Sequence, residues 1–270
     1  MKQLNYLLFL LICLATSIQS FAQFTINGRS VIYDKVSDTY MVSIPENVFG
    51  TDYEVSITLD ATAGWNNLSI EGTDIADSYT FKQVEGNKIY KIHALEGDKE
   101  VYSQLTFTFL PLLVLQGSFG YDYAQGSMSL YSPDATEPTI SLIKAKWRGG
   151  STNTADKHKR NYKIKSINFK GKSQDISLLG MREDNNWILD AGQIDLFRLR
   201  NRIATEIWND FATKPYYASK EPKAKSGVAG KVVEVILNNE YRGIYSLTEA
   251  MDRKELKLKK YDDKNQEFHG

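Results

Sequence analysis

Between Phe24 and Phe109, apolar residues recur at every second position, which restricts this stretch to strands half-buried in a sheet. Tyr53, Val55, Ile57 and Leu59 alternate with Glu54, Ser56 and Thr58, and Leu105, Phe107 and Phe109 alternate with Thr106 and Thr108. Shorter runs at Ser30–Tyr33, Tyr40–Ile44, Tyr79–Phe81 and Ile89–His93 are parted by Asn, Asp and Gly clusters. Several short strands with frequent turn signals predict a β-sandwich over 23–109. His93, at a strand end without Cys or carboxylate partners at ligand spacing, reads as a structural histidine. Asn67-Leu68-Ser69 reads as a chance sequon.

Residues 1–22 have the features of a secretory signal peptide. Lys2 supplies the positive start, Leu7 to Ala15 is a compact apolar run, and Ser20-Phe21-Ala22 places small residues at the cleavage positions. The apolar run falls short of the roughly 20 residues that span a bilayer, so no membrane span is expected. Ile12 precedes Cys13 where lipoprotein processing needs a small residue, which argues against a lipid anchor. The expected location is secreted, periplasmic or cell-surface, in a bacterium. Cleavage would remove Cys13, the sole cysteine, so the mature chain would be held by its core and not by disulfides. Lysine plus arginine balances aspartate plus glutamate at 33 each, and loss of Lys2 leaves about −1. A neutral chain has no global field for nucleic acid, which is not an expected partner.

The character changes near Leu110-Pro111, and a second segment, 110–270, alternates strands with one helix. Asp195 is placed to cap a helix running to about Phe211, with Leu196, Leu199, Ile203, Ile207 and Phe211 along one side. Arg198, Arg202, Glu206 and Asp210 cover much of the remainder. Lys214 to Lys231 reads as a solvated loop. The overall expectation is an α+β chain.

Two blocks in this segment could carry chemistry. The first is Lys146-Trp147-Arg148-Gly149-Gly150-Ser151-Thr152, continuing to Lys159-Arg160-Asn161-Tyr162-Lys163-Ile164-Lys165. Two glycines let backbone amides approach an anion closely. Alternation then puts Tyr162 and Ile164 on one face of a strand, and Lys163 and Lys165 on the other. A lysine strand beside a glycine turn can neutralise phosphates; on the residues alone, an edge strand guarded by lysines explains it better. The second block is a hairpin, Val233 to Glu249, turning at Asn238-Asn239, both of which tolerate positive φ. Val233, Val235 and Leu237 form its apolar face, with Glu234 and Ile236 opposite.

Taken in order, Arg148-Gly149-Gly150-Ser151, Lys159-Arg160-Asn161-Tyr162, Gly180-Met181 through Trp187-Ile188-Leu189, Arg200-Asn201 and Asn238 through Glu249 resemble the CotH kinase family of spore-coat-protein-H-like atypical kinases. The resemblance spans roughly Leu110 to Gly270, with Asn239 where the family usually has Gly and Asn161 where Pro is common. It implies a kinase-like fold that binds ATP with Mg²⁺ or Mn²⁺ and phosphorylates Ser or Thr on exported proteins. By position, it implies nucleotide contacts from Arg148, Gly149, Gly150 and Ser151. Lys165 would make the main phosphate contact with Lys163 second, Glu206 would be a candidate partner for that lysine, and Glu249 would lie at the adenine hinge.

In that family the catalytic and metal-binding aspartates follow the hairpin. Here only Asp252, Asp262 and Asp263 follow it, in a charged run that reads as a solvated turn. The expectation is therefore a fragment holding the N-terminal part of the domain. It would have no catalytic residue and no metal ligand, and would be inactive as this chain. A non-catalytic extracellular adhesion or interaction module is the alternative.

Overall fold

The computed structural model describes residues 23–258 apart from Ala63 and Ala155, together with Tyr261 and Lys264. The expected signal peptide with Cys13, and Asp262 and Asp263, lie outside the described residues. The described chain is mostly β-strand with one α-helix, and none of its helices is long and apolar enough to cross a membrane. It divides into two compact units. One takes in the chain through Ser118, 125–143 and 233–243; the other takes in 119–124, 144–232 and the remainder from Ile244.

The first unit contains two sheets near its N-terminus. One has the order β2-β1-β5-β8, from β1 (Phe24–Ile26), β2 (Arg29–Ser30), β5 (Tyr53–Leu59) and β8 (Ser78–Phe81). The other has the order β3-β4-β10-β9-β6-β7, from β3 (Ile32–Asp34), β4 (Thr39–Ser43), β6 (Trp65–Ile70), β7 (Thr73–Asp74), β9 (Tyr90–Glu96) and β10 (Lys99–Thr108). Both sheets feed a single core. Phe24, Ile26, Val55, Ile57 and Phe81 come from the first, and Val42, Leu68, Ile92, Leu105 and Phe107 from the second. Val55 and Ile57 are buried while Glu54, Ser56 and Thr58 are exposed, so the alternation in β5 sets its inner face.

β10 departs from its expected pattern. It pairs in parallel with β4 and antiparallel with β9, and Thr106 and Thr108 are buried along with Leu105 and Phe107. The strand stops at Thr108, and Phe109 is exposed. A strand covered on both faces cannot show its inner side by alternation.

The same unit holds β11 (Leu112–Gln116), which pairs antiparallel with β12 (Ala124–Tyr131) and parallel with the end of β16 (Gly230–Leu237). Asn238 and Asn239 take φ of 52° and 61°, the left-handed pair a two-residue turn needs before β17 (Glu240–Glu249). That turn is tied in place: Asn239 O accepts from Lys35 N at 2.8 Å, Asp34 Oδ1 from Tyr241 N at 3.0 Å, and Asn238 Oδ1 from Gly117 N at 2.9 Å. Contrary to the expected two-faced strand, β16 is buried on both sides from Val233 to Ile236. Ile236 joins Ile32, Met41, Leu112 and Val114 in a second core cluster. Glu234 is only 4% exposed, and desolvation pushes its carboxyl up to about 7, only partly offset by hydrogen bonds with Tyr241 and Thr108.

The second unit carries the C-terminal end of β13 (Thr139–Arg148), then β14 (Asn161–Ile167) and β15 (Asn186–Asp190). β14 pairs antiparallel with β15, and β15 with the last residues of β17. Helix α1 spans Arg200–Phe211, beginning later than its expected cap. Asp195 still gathers the approach, accepting from Phe197 N at 3.1 Å and Arg200 N at 2.9 Å, but Arg198 breaks the helix with φ of 63°. The expected apolar side faces outward: Leu196 is 90% exposed, Ile207 55% and Phe211 65%. The buried residue of the helix is Arg202 instead. The irregular segment beside the helix explains the inversion, because its carbonyls need donors. Arg202 Nη2 and Asn209 Nδ2 both donate to Val228 O, and Trp208 Nε1 donates to Ser226 O at 2.8 Å.

Candidate functional site

All eight residues singled out in the sequence fall in the second unit. Arg148 ends β13, and Gly149 leaves the strand with φ of 105°, a conformation open mainly to glycine. A Cβ there would also stand 2.0 Å from Thr152 Oγ1. Ser151 to Asn153 then form a short 3-10 turn, closed by Asn153 N donating to Gly150 O at 3.0 Å. Asn161 pins this turn to the sheet. Its Nδ2 donates to Thr152 Oγ1 at 3.3 Å, and its Oδ1 accepts from Ala191 N at 2.6 Å. Arg160 adds a second clamp, donating to Thr154 O at 2.6 Å with its guanidinium 4.8 Å from the Trp147 ring. The turn is thus a fixed element, with Arg148, Gly149, Gly150 and Ser151 all exposed.

β14 follows the expected alternation. Tyr162 and Ile164 are buried, while Lys163 and Lys165 are half-buried on the other face. The Lys165 ammonium lies 5.0 Å from the centre of the Tyr123 ring. Lys159, at the foot of the strand, sits 4.2 Å from the Tyr245 ring and donates to Ile244 O. Desolvation lowers its pKa to about 8, with the positive charge of Arg198 adding to the effect and Asp190 opposing it.

The two glutamates lie elsewhere. Glu206 is exposed, and its ion pair is with Arg202 Nε at 3.1 Å. Glu249 is buried, and its carboxylate accepts from Arg182 N and Ala229 N, both at 2.8 Å, with Lys225 Nζ at 3.6 Å. Its side chain therefore ties three segments together.

Sequence reasoning missed the knot beside it. Arg182 pairs with Asp184 at 2.7 Å and with Glu255, and Lys254 pairs with Asp184 at 2.8 Å. Burial and the nearby Glu249 charge raise the pKa of Glu255. Asp252, expected in a solvated turn, is half-buried with Oδ1 3.6 Å from Arg182 and accepting from Lys254 N at 2.9 Å. Side chains of this knot line a cleft of about 510 Å³. No local pattern announces it, because Arg182 and Glu255 are distant in sequence. Among the described residues, no three His, Cys, Asp or Glu side chains gather where they could hold a metal ion.

The arrangement can therefore present backbone amides of a rigid glycine turn and strand-borne ammoniums to an anion. A search of curated proteins found no match. Comparison with protein-family models matches residues 145–269 to the family described as CotH kinase protein, a stretch that contains the glycine turn, the lysine strand, α1 and the hairpin. Over that segment, the chain is similar to the CotH kinase family.

Proposed function

We propose that this chain is an exported CotH-like kinase segment whose second unit binds the phosphates of ATP, in a protein that phosphorylates Ser or Thr on secreted or surface proteins. The single observation that carries the reading is β14 as built. Lys163 and Lys165 share one face of a strand that follows a pinned Gly149-Gly150-Ser151 turn, inside the segment matched to the family. Phosphoryl transfer needs charge neutralisation and positioning more than covalent help, and these residues supply both for the phosphate end. The nucleotide fits this donor set, whereas the described residues build no cage for the divalent cation that the family implies. Export rests on the leader read in residues 1–22, and the two N-terminal sheets are read as a β-sandwich.

A second reading, a non-catalytic interaction module, draws support from the exposed Ile203, Ile207 and Phe211 of α1. Isothermal titration of ATP with Mg²⁺ or Mn²⁺ separates the two. The kinase reading expects saturable binding that Lys165→Ala weakens by at least about tenfold, roughly 1.4 kcal/mol. Unchanged affinity in that variant would remove Lys165 from the site, and absence of binding in the unaltered chain would leave the interaction reading.

A further inference from the structure

The loop joining β11 to β12 contributes residues 119–124 to the second unit, where they lie against the strands that carry the lysines. Gly120 O accepts from Trp147 N at 2.7 Å, and the Tyr121 ring meets the Trp147 ring at 5.0 Å. Tyr121 OH donates to Asn153 O at 3.3 Å, on the glycine turn itself. Phe119 meets Tyr162 of β14 at 6.1 Å. These contacts hold the loop immediately before Tyr123 against the second unit's strands.

Tyr123 has two cations on its ring. Lys146 Nζ from β13 and Lys165 Nζ from β14 each lie 5.0 Å from its centre, so the ammoniums are within 10 Å of one another. The strands enforce this: Ala145 and Ile164 are completely buried, which turns the neighbouring lysines to the opposite side. A ring face attracts cations but carries no net charge. Among the described residues, the ion pairs formed by lysines engage Lys35, Lys82, Lys88, Lys157, Lys225 and Lys254, and neither Lys146 nor Lys165. Two ammoniums held this close without a carboxylate repel each other, weakly in water and more strongly as solvent is excluded. An anion reaching both would relieve that repulsion and gain two charge-assisted hydrogen bonds.

We propose that Lys146 and Lys165 form a paired-ammonium site for an oligophosphate, with Tyr123 as the spacer that sets their separation and residues 119–124 as the wall. The proposal deepens the nucleotide reading of Lys165 and rests on it. It adds Lys146 and Tyr123 as binding residues and names the ligand chemistry as two or more linked phosphates. A chain of phosphates can engage both ammoniums at once, whereas a single phosphate has less reach. Because the loop is already pinned, little ordering cost attends binding. Burial also raises the pKa of the Tyr123 phenol.

The test is calorimetric titration of the full chain with sodium tripolyphosphate and, separately, with ATP and Mg²⁺. The unaltered chain, Lys146→Ala, Lys165→Ala and the control Lys144→Ala would be compared, each checked by circular dichroism for unchanged folding, with Lys146→Gln as a second variant. The expected result is tripolyphosphate binding that both Lys146 variants and Lys165→Ala weaken by about tenfold or more, while Lys144→Ala stays within about twofold. If Lys165→Ala loses affinity and the Lys146 variants do not, the pairing is overturned while Lys165 keeps its place as a phosphate contact. Binding of ATP without any binding of tripolyphosphate would overturn it too, since recognition would then rest on the nucleoside. If the unaltered chain binds neither ligand, the nucleotide reading and this proposal fall together.

Discussion

At the scale of single residues, two buried carboxylates have opposite consequences. The Glu234 carboxyl, pushed up to about 7 by burial from an ordinary 4.5, holds a proton in the folded chain that the unfolded chain releases. Its cost to folding is therefore absent below about pH 4.5, grows as pH rises through the window to 7, and is constant above. Glu234→Gln is expected to stabilise the first unit above pH 7, by at most about 3 kcal/mol, and to be near neutral at pH 4. Urea unfolding at the two pH values reads this, and an equal effect at both would refute it. The Glu249 carboxylate is instead held by backbone amides, one on each oxygen. Glu249→Ala would leave those amides of Arg182 and Ala229 unpaired, at a cost of about 2–4 kcal/mol. Thermal unfolding would show a lowered midpoint; an unchanged midpoint would mean that water replaces the carboxylate.

At the scale of elements, α1 turns its apolar side to solvent and buries an arginine. Exposed apolar residues add little to stability, so Ile203→Ser combined with Ile207→Ser should change it by no more than about 0.5 kcal/mol. The same pair should reduce self-association measured by sedimentation if that face is sticky. A large loss of stability would show that the face is covered in solution.

The helix also shows why part of the structure was illegible in the sequence. Periodicity located α1 and its approach, because Asp195 and the Leu199-to-Phe211 spacing are local. It could not locate the inner face, because Arg202 is drawn inward by Val228 O, a partner fixed only by the tertiary fold. β5 was readable for the converse reason: one face is solvated, so Val55 and Ile57 alternate with exposed neighbours. β10 and β16, covered on both sides, hid their inner faces. In the candidate site, the glycine turn and the faces of β14 were legible, since both are set by adjacent residues. Tyr123 and Lys146 were not, since their meeting depends on where the β11–β12 loop comes to rest.

At the scale of the molecule, the chain is two compact units, and the residues assigned to phosphate binding lie in one of them. Within the first unit, Asp34 and Lys35 hold the hairpin turn that precedes β17. The proposed ATP site is the glycine turn and lysine strand of the second unit. Hydrogen–deuterium exchange of the full chain, with and without ATP and Mg²⁺, tests that location directly. Slowed exchange is predicted at Gly149–Thr152, along β14 and across residues 119–124, with the first-unit sheets β1 to β10 unchanged. Binding that leaves those amides unprotected, or protects only the N-terminal sheets, would contradict it.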